Sequence, residues 1–226
     1  MTARIPVLTI DGPSGSGKGT VARRVAERLG WHLLDSGALY RLVALASRAT
    51  GLESMDEAGH AVCAATLDVR FSSRPDGEEQ IWLAGQDVTA AIRTERAGDD
   101  ASRVAVMPAV RSALLERQRA FAQSPGLVAD GRDMGTVIFP EAEVKIFLTA
   151  TPEERARRRH KQLKDKGLDV SLAALSREIA ERDRRDSSRA VAPLVPASDA
   201  LILDSTVMPI EEVVDQVLSV MRQRVG

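Results

Sequence analysis

The sequence predicts an α/β fold in which a five-stranded parallel sheet carries helices on both faces. Three observations lead to this prediction. Short apolar runs of strand length alternate with amphipathic segments of helical period along most of the 226 residues. A glycine-rich turn joins the first apolar run to the first amphipathic segment. Residues 67–94 interrupt this alternation with short alternating segments, which predict a small antiparallel sheet inserted into the main domain.

The composition argues against disulfide-linked, membrane-spanning and nucleic-acid-binding classes of protein. The chain is 44% hydrophobic and has a formal net charge of −1, so it can form a core and has no overall attraction to nucleic acids or membrane surfaces. Its single cysteine, Cys63, excludes an internal disulfide. We find no signal-peptide pattern and no apolar run long enough to span a bilayer. We therefore expect a cytoplasmic protein that acts as a monomer, without nucleic acid or membrane partners.

The first strand and the turn after it form the most informative stretch. Apolar and β-branched residues at 5 and 7–10 predict a buried strand. The turn after it comprises Gly12, Pro13, Ser14, Gly15, Ser16, Gly17, Lys18, Gly19 and Thr20. Between a strand and a helix, such a loop turns backbone N–H groups toward an anion, and Lys18 can reach the outer phosphates. Gly19 stands where the general pattern has Ser or Thr, which leaves a metal-ligand role for Thr20 open.

The next two elements repeat the strand-then-helix order. Residues 19–29 have apolar side chains at helical spacing, and Gly30 can end this first helix. A second strand, residues 31–34, ends at Asp35 and Ser36, and a second amphipathic helix follows. Ligands of parallel sheets bind at the carboxyl ends of the strands, so these two polar residues are candidates for a site. An ordinary cap and turn is the alternative explanation for them.

Charged residues follow the third strand of the predicted sheet. Two helical segments come after the insertion, the second over about residues 109–123. Residues 127–129 then form a buried strand, whose carboxyl end carries Asp130, Arg132 and Asp133. Two carboxylates and a guanidinium at a strand end favour a ligand site over a solvated loop.

A pair of highly charged helices follows the strand at residues 144–148. Thr151 as an N-cap and Pro152 at the first helical position predict the start of the first helix, and Gly167 its end. The second helix covers about residues 172–185. Many arginines and a thin apolar face favour a mobile lid over phosphates, and a salt-bridged surface is the alternative.

A last strand at residues 200–203 and a helix that begins at Pro209 complete the fold. In a parallel sheet, Lys18, Asp35 and residues 130–133 then lie on one edge. A triphosphate cradle beside a second cluster favours phosphoryl transfer over hydrolysis. We expect no catalytic histidine, because an acceptor phosphate is already ionised.

Five segments together resemble the bacterial cytidylate kinases: GPSGSGKGT, LLDSGALYR, ADGRDMGT, ERDRRDSSRAVAPL and LILDST. The similarity covers nearly the whole chain, and the GKGT form of the loop is common to nucleoside monophosphate kinases. The resemblance implies a P-loop NTPase-type fold in which residues 63–123 form an insertion on the side that binds the nucleoside monophosphate. Residues 153–189 would form the helical lid. The core would comprise residues 1–62, 124–152 and 190–226.

The resemblance also implies an activity and a set of residues. The protein would use ATP with Mg²⁺ to phosphorylate CMP or dCMP, with ATP held by residues 12–20 and, in the lid, by Arg157 and Arg158. The residues implied in catalysis are Lys18, Arg41, Arg132, Arg182 and Arg189. Those implied in CMP binding are Ser36, Tyr40, Arg41, Ser102, Arg111, Arg132, Asp133, Arg182, Asp186 and Arg189. No metal ligand is implied.

The implied CMP residues divide by the part of the nucleotide they would bind. The phosphate would be held by Arg41, Arg132 and Arg189. The cytosine would be held by Ser102, Arg111 and Asp133, although the local helical pattern leaves the first two on a helix surface. Asp186 and Arg182 would lie at the sugar, and Ser36 and Tyr40 would line the pocket. These residue types suit cytosine, because a carboxylate or hydroxyl can accept from its amino group, which uracil lacks.

Two alternatives stay open. A kinase of the same architecture could act on UMP, AMP or the hydroxyl of a small metabolite. A nucleotide-dependent switch or motor belongs to another class, but the chain contains no asparagine and therefore lacks the Asn-Lys-x-Asp motif that reads guanine.

Overall fold

The structure of the protein, a computed structural model, describes residues 4–53, 56–73, 79–165 and 167–225. It consists of two compact units. We call Met1–Asp35 with Arg119–Gly226 the sheet unit, and Ser36–Gln118 the inserted unit. In chain order, the described helices and strands are β1 (Val7–Asp11), α1 (Lys18–Leu29), β2 (His32–Asp35), α2 (Ser36–Ala49), α3 (Glu57–Ala65), β3 (Val69–Ser73), β4 (Glu79–Leu83), β5 (Gln86–Asp87), a 3₁₀ turn (Ala91–Arg93), α4 (Glu95–Val104), α5 (Pro108–Arg119), β6 (Leu127–Gly131), a π-helical turn (Met134–Ile138), β7 (Val144–Thr149), α6 (Pro152–Asp165), α7 (Leu172–Ser187), β8 (Leu201–Asp204) and α8 (Ile210–Val225).

The sheet of the sheet unit has the strand order β2-β6-β1-β7-β8, and every neighbouring pair is parallel. The prediction of a five-stranded parallel sheet is therefore confirmed. The register pairs Asp35 with Asp130, and Asp11 with Gly131. These carboxyl ends consequently lie at one edge of the sheet, as the sequence analysis expected.

The core of the sheet unit lies between the sheet and two helices. Leu8 and Ile10 of β1 are fully buried, and they belong to one cluster with Val21 of α1 and Val217 of α8. Both faces of β1 are buried, which explains why its sequence is continuously apolar rather than alternating. The hydrophobic effect of this burial fixes α1, and with it the position of Lys18 at the start of the helix.

The π-helical turn after β6 was not predicted. It follows Asp133 directly, and it begins with Met134 and Gly135, both of which are buried. Single π turns have no hydrophobic period of their own, so the sequence gives no signal for one.

The charged helices α6 and α7 begin as predicted and pack against each other. Thr151 caps α6, since its hydroxyl accepts the Glu154 N–H at 3.3 Å. Leu163 of α6 and Leu175 and Ile179 of α7 are buried, so the pair has an apolar seam of its own. Lys166, which follows α6 in the chain, lies outside the described residues.

The inserted unit combines helices with the predicted antiparallel sheet. Strands β3, β4 and β5 pair antiparallel, with Val69 opposite Leu83. Residues 74–78, between β3 and β4 in the chain, lie outside the described residues. Helix α5 ends at Arg119 instead of residue 123. Helix α3 was not predicted, and its N-cap Asp56 accepts the Gly59 N–H at 2.8 Å.

Within the described residues, no helix combines the length and the apolar character that crossing a bilayer needs.

Candidate active site

The glycine-rich loop lies between β1 and α1 and passes directly against β7. A Cβ atom on Gly12 would lie 2.0 Å from the carbonyl oxygen of Leu148, so any other residue would push the loop away from the sheet. Gly17 caps α1 without a side-chain hydrogen bond, and the first turn of the helix contains no acidic residue. The positive end of α1 is therefore left for an anion to neutralise.

Two further polar groups belong to this loop. The Ser16 hydroxyl is buried and has no hydrogen-bond partner among the residues that the structure describes. The Lys18 Nζ lies 3.5 Å from the Pro13 carbonyl oxygen and 4.0 Å from the Asp130 Oδ1, and 11% of its side chain is exposed. Buried polar groups of this kind indicate a ligand that the loop is shaped to receive.

Positive charge is concentrated around Lys18. Burial and the charges of Arg132 and Arg182 together lower the pKa of Lys18 to about 8, against the opposing effect of Asp130. Three cationic side chains of the sheet unit therefore lie within electrostatic reach of one another. A phosphate group would relieve this repulsion and favour the charged form of the lysine.

Asp186, on α7, joins two of the predicted arginines. The Arg132 Nε donates to its Oδ2 at 3.0 Å, and the Arg189 Nη2 donates to its Oδ1. Asp186 is fully buried, which by itself would raise the pKa of its carboxyl group. The charges of Arg132, Arg189 and Arg182 outweigh this effect and hold that pKa below 3.8. The carboxylate thus stays ionised and keeps the guanidinium groups in place.

Arg155 ties the charged helices to the glycine-rich loop. Its guanidinium donates to the carbonyl oxygen of Ser14 at 2.9 Å and to that of Ala150 at 3.0 Å. It also donates to both carboxylate oxygens of Asp183 on α7, at 3.0 and 2.5 Å. Sequence reasoning missed this role. A basic residue in the first turn of a helix, where the dipole disfavours it, was the available signal.

The two arginines expected near ATP have different surroundings. The Arg158 guanidinium donates to the carbonyl oxygen of Ser16 at 3.3 Å and to the Ser205 hydroxyl at 3.1 Å, so it links α6 to the glycine-rich loop. The Arg157 side chain is 67% exposed and forms an ion pair with Glu154 at 3.0 Å. Within the described residues, Arg157 forms no hydrogen bond or ion pair with the loop.

In the inserted unit, the predicted residues Ser36, Tyr40 and Arg111 are buried, and each contacts another side chain. Ser36 Oγ donates to Gln118 Oε1 at 2.7 Å, and both residues are buried. Sequence reasoning missed Gln118, because a glutamine near the end of an amphipathic helix gives no signal. The Arg111 guanidinium carbon lies 6.0 Å from the centre of the Tyr40 ring, which is a cation–π arrangement.

Two buried polar groups of this unit, the Arg41 Nε and the Ser102 hydroxyl, have no hydrogen-bond partner among the described residues. The Arg41 Nη1 donates to the Ile92 carbonyl oxygen at 3.2 Å, whereas its buried Nε has no partner among the described residues. Ser102 is 2% exposed, and its hydroxyl also has no partner within the described chain. Arg111, at 7% exposure, is buried too, so neither residue lies on a helix surface as the local pattern had indicated.

The structure therefore brings one set of the predicted residues together. In the sheet unit, this set comprises Lys18, Arg132, Arg182, Asp186 and Arg189, and the buried Asp133 lies next to Arg132 in the chain. In the inserted unit, Tyr40 lies beside Arg111, whereas Ser36 bonds to Gln118 and Arg41 to Ile92, and Ser102 is buried.

Comparison with known proteins agrees with these features. The family model described as Cytidylate kinase matches residues 8–223. The chain is 60% identical over 225 residues to the cytidylate kinase of Stutzerimonas stutzeri strain A1501, covering 99% of this chain and 98% of that protein. It is 61% identical over 219 residues to the cytidylate kinase of Pseudomonas paraeruginosa strain DSM 24068 / PA7, covering 96% of both.

Among solved structures, a gluconokinase from Sinorhizobium meliloti 1021 is similar with a TM-score of 0.47 and 16% identity, over 96% of this chain and 92% of that one. The match to the family model over nearly the full length, together with the high identity to curated members, establishes the family. The chain belongs to the cytidylate kinase family.

Proposed function

We propose that the protein transfers the γ-phosphoryl group of ATP to CMP or dCMP and releases ADP with CDP or dCDP. Membership of the family supports the reaction. The observation that carries the proposal is the convergence of Lys18, Arg132 and Arg182, whose charges affect one another in the sheet unit. Such an excess of positive charge suits two phosphorylated ligands better than one.

The donor nucleotide would bind at the glycine-rich loop. The uncompensated N-terminus of α1 and the Lys18 ammonium group would bind the β- and γ-phosphates of ATP. Arg158 holds α6 to this loop, so its proposed role at ATP is to fix the loop as much as to contact phosphate. Arg157 is exposed and would reach ATP by moving its side chain.

The phosphate of the acceptor would bind at the arginines around Asp186. Arg132 and Arg189 each donate to this carboxylate, which holds both guanidinium groups beside each other at the proposed phosphate position. Arg182 would add charge at the transferred group. Because the attacking oxygen belongs to an ionised phosphate, the reaction needs orientation and charge stabilisation rather than a strong general base.

Selectivity for cytosine would come from Ser102, Arg111 and Asp133. The buried Ser102 hydroxyl, without a partner in the described chain, can accept from the cytosine amino group. Arg111, which lies beside the Tyr40 ring, would donate to the ring nitrogen or the carbonyl oxygen. UMP would leave these groups unsatisfied, which disfavours it.

Magnesium would enter with ATP. No cluster of three or more His, Cys, Asp or Glu side chains suited to a metal occurs in the described part of the chain. This fits Mg²⁺, which commonly binds through one or two carboxylates together with substrate phosphates and water. Asp35 and Asp130, which pair in register beside Lys18, would hold it directly or through water. The ion would neutralise charge on the phosphate oxygens.

A panel of acceptors tests this function. Phosphoryl transfer from ATP is measured with CMP, dCMP, UMP and AMP at equal concentrations, and we expect kcat/KM to be highest for CMP or dCMP. Omission of Mg²⁺ should abolish transfer. Faster transfer to UMP or AMP than to CMP would contradict the proposed base site.

The expected monomer in the cytoplasm stays a prediction. Light scattering on the purified protein would test the first part, with 24.4 kDa as the mass of one chain.

A further inference from the structure

Asp11, the last residue of β1, carries a buried carboxylate that none of the roles above uses. Its two oxygens each accept one backbone N–H of the π-helical turn. The Met134 N–H donates to Oδ1 and the Gly135 N–H donates to Oδ2, both at 2.8 Å. One carboxyl group that accepts hydrogen bonds from two successive backbone amides fixes the direction of the chain at this point.

The same turn also lies close to the side chains of Thr9 and Lys145 at Gly135. A Cβ atom on Gly135 would lie 2.9 Å from the Thr9 Oγ1 and 3.2 Å from the Lys145 Cδ. Thr9 is fully buried and Lys145 is 8% exposed, so neither side chain has free space into which to move. The backbone at residue 135 therefore lies directly on the surface of the sheet, at a distance that only glycine permits.

The position of these contacts in the chain indicates what they hold. Met134 and Gly135 follow Arg132 and Asp133 directly, whereas Asp11 directly precedes Gly12 of the glycine-rich loop. Asp11 also pairs in register with Gly131, the residue before Arg132. One carboxylate thus joins the strand that leads into the glycine-rich loop to the segment that carries Arg132.

We propose that Asp11 and Gly135 together position the segment of Arg132 and Asp133 for phosphoryl transfer. Asp11 is then a positioning residue, which acts through the backbone and contacts no substrate. This inference rests on the proposed function, in which Arg132 binds the acceptor phosphate. It predicts that disruption of the Asp11 contacts displaces Arg132 while every group that contacts a ligand is still present.

The electrostatic surroundings of Asp11 support a role beyond stability. Burial, together with the neighbouring carboxylates of Asp133 and Asp130, raises the pKa of Asp11 to about 7, against the two backbone hydrogen bonds. Burial of an ionised carboxylate opposes folding, and an apolar side chain would avoid that unfavourable contribution. Groups that oppose folding in this way cluster at functional sites.

The test uses two variants that disturb the contact from opposite sides. Asp11→Asn keeps the size of the side chain but turns an amide –NH₂ group toward one of the two backbone donors. Gly135→Ala places a methyl group against Thr9 and Lys145. The matched control is Asp215→Asn, which removes an exposed carboxylate that accepts from Arg28 in the same unit. Thermal unfolding establishes which variants are folded.

Steady-state kinetics then separates positioning from a general structural defect. We expect each test variant to lower kcat/KM for CMP by about 30-fold or more, while KM for ATP changes less than about threefold. The double variant should be no worse than the poorer single variant, because both changes disturb one contact. Asp215→Asn should behave like the unmodified protein.

Amide hydrogen exchange gives a readout that does not depend on activity. The Met134 and Gly135 amides should exchange at least about tenfold faster in Asp11→Asn than in the unmodified protein. If Asp11→Asn does not fold, the kinetics of Gly135→Ala decide the question. Near-normal kcat/KM for CMP in a folded variant would overturn the inference, and so would an equal rise in KM for ATP and CMP.

The unmodified protein and Arg132→Ala are measured in the same series. If the unmodified protein does not phosphorylate CMP, or if Arg132→Ala is fully active, the proposed function fails. If both behave as proposed but the Asp11 and Gly135 variants are normal, only the inference about positioning fails.

Discussion

The arginine cluster of the sheet unit, which surrounds Asp186, differs from the polar residues Arg41 and Ser102 of the inserted unit in how its charged groups are paired. We call these two inserted-unit residues the pocket. In the cluster, Arg132 and Arg189 are paired with one buried carboxylate, Asp186. In the pocket, the Ser102 hydroxyl and the Arg41 Nε are buried without a partner among the described residues. The cluster therefore contains the counter-charge of its own guanidinium groups.

The difference follows from the ligand that each region is proposed to bind. Several guanidinium groups close together repel one another, and Asp186 neutralises part of that repulsion before a phosphate arrives. A single hydroxyl creates no such repulsion, and its burial opposes folding by roughly 1–3 kcal/mol at most. A cluster of several guanidinium groups thus gains more from a built-in carboxylate than a single buried hydroxyl does.

Removal of Arg132 should have the largest effect. We expect Arg132→Ala to lower kcat by about 10³-fold, because a guanidinium that stabilises the charge of the transition state is lost while the fold survives. The control is Arg24→Ala, an exposed arginine of the same unit that pairs with Glu211. Its kcat should be unchanged. Normal turnover by a folded Arg132→Ala variant would contradict the role of the cluster.

Asp186→Asn should have the second-largest effect, which is a loss of unfolding free energy that depends on pH. The folded pKa of Asp186 lies below the unfolded value near 3.8, so its stabilising contribution is present above that value and lost as the pH falls through the folded pKa. At neutral pH, we expect the variant to be less stable by about 3 kcal/mol, since the guanidinium charges lose their partner.

Chemical unfolding over a pH series measures this prediction. The difference in unfolding free energy between the protein and Asp186→Asn should stay constant from pH 7 to about 5 and narrow below pH 3.8. Asp199→Asn is the control, because its lowered pKa belongs to an exposed ion pair with Lys145, which is screened by solvent. A difference that widens on acidification would show that Asp186 is not ionised in the folded protein.

Ser102→Ala tests the pocket and should affect binding more than stability. We expect KM for CMP to rise about tenfold, the loss of one buried hydrogen bond, while the unfolding temperature stays equal or increases. Ser47→Ala removes another buried hydroxyl of the inserted unit that has no partner among the described residues, and it should leave KM unchanged. A fall in stability without a change in KM would assign Ser102 to the fold alone.

Substitution of Arg157 or Arg158 on α6 should have the smallest effects, and the two losses of stability should differ. Arg157→Ala removes an exposed ion pair and should change the unfolding free energy by less than about 0.5 kcal/mol. Arg158→Ala should destabilise more, because it removes contacts with Ser16 and Ser205. Thermal unfolding compares them, and equal losses would contradict the anchoring role of Arg158.

The sheet and the loop at Lys18 could be predicted because each depends on local sequence. Continuous apolar strands, the Gly12–Lys18 spacing and the Thr151 cap are all visible in short windows, and the structure contains each of them. The resemblance, rather than any local pattern, supplied Ser102 and Arg111. Their burial depends on the packing of α4 and α5, which a helical period alone does not determine.

The missed residues share one physical property. Asp11, Arg155 and Gln118 act on partners 123, 28 and 82 residues away, and in each case the partner is a backbone group or another side chain rather than a ligand. A motif search finds groups that contact ligands. Residues that hold those groups in place become visible only when the chain is folded.

A crystal structure of the protein with CMP bound tests the central claim most directly. We predict that the CMP phosphate lies within hydrogen-bonding distance of the Arg132 guanidinium, with the cytosine amino group at the Ser102 hydroxyl and the glycine-rich loop left for ATP. A CMP phosphate bound at Lys18 in the glycine-rich loop, or anywhere remote from Arg132, would contradict the account.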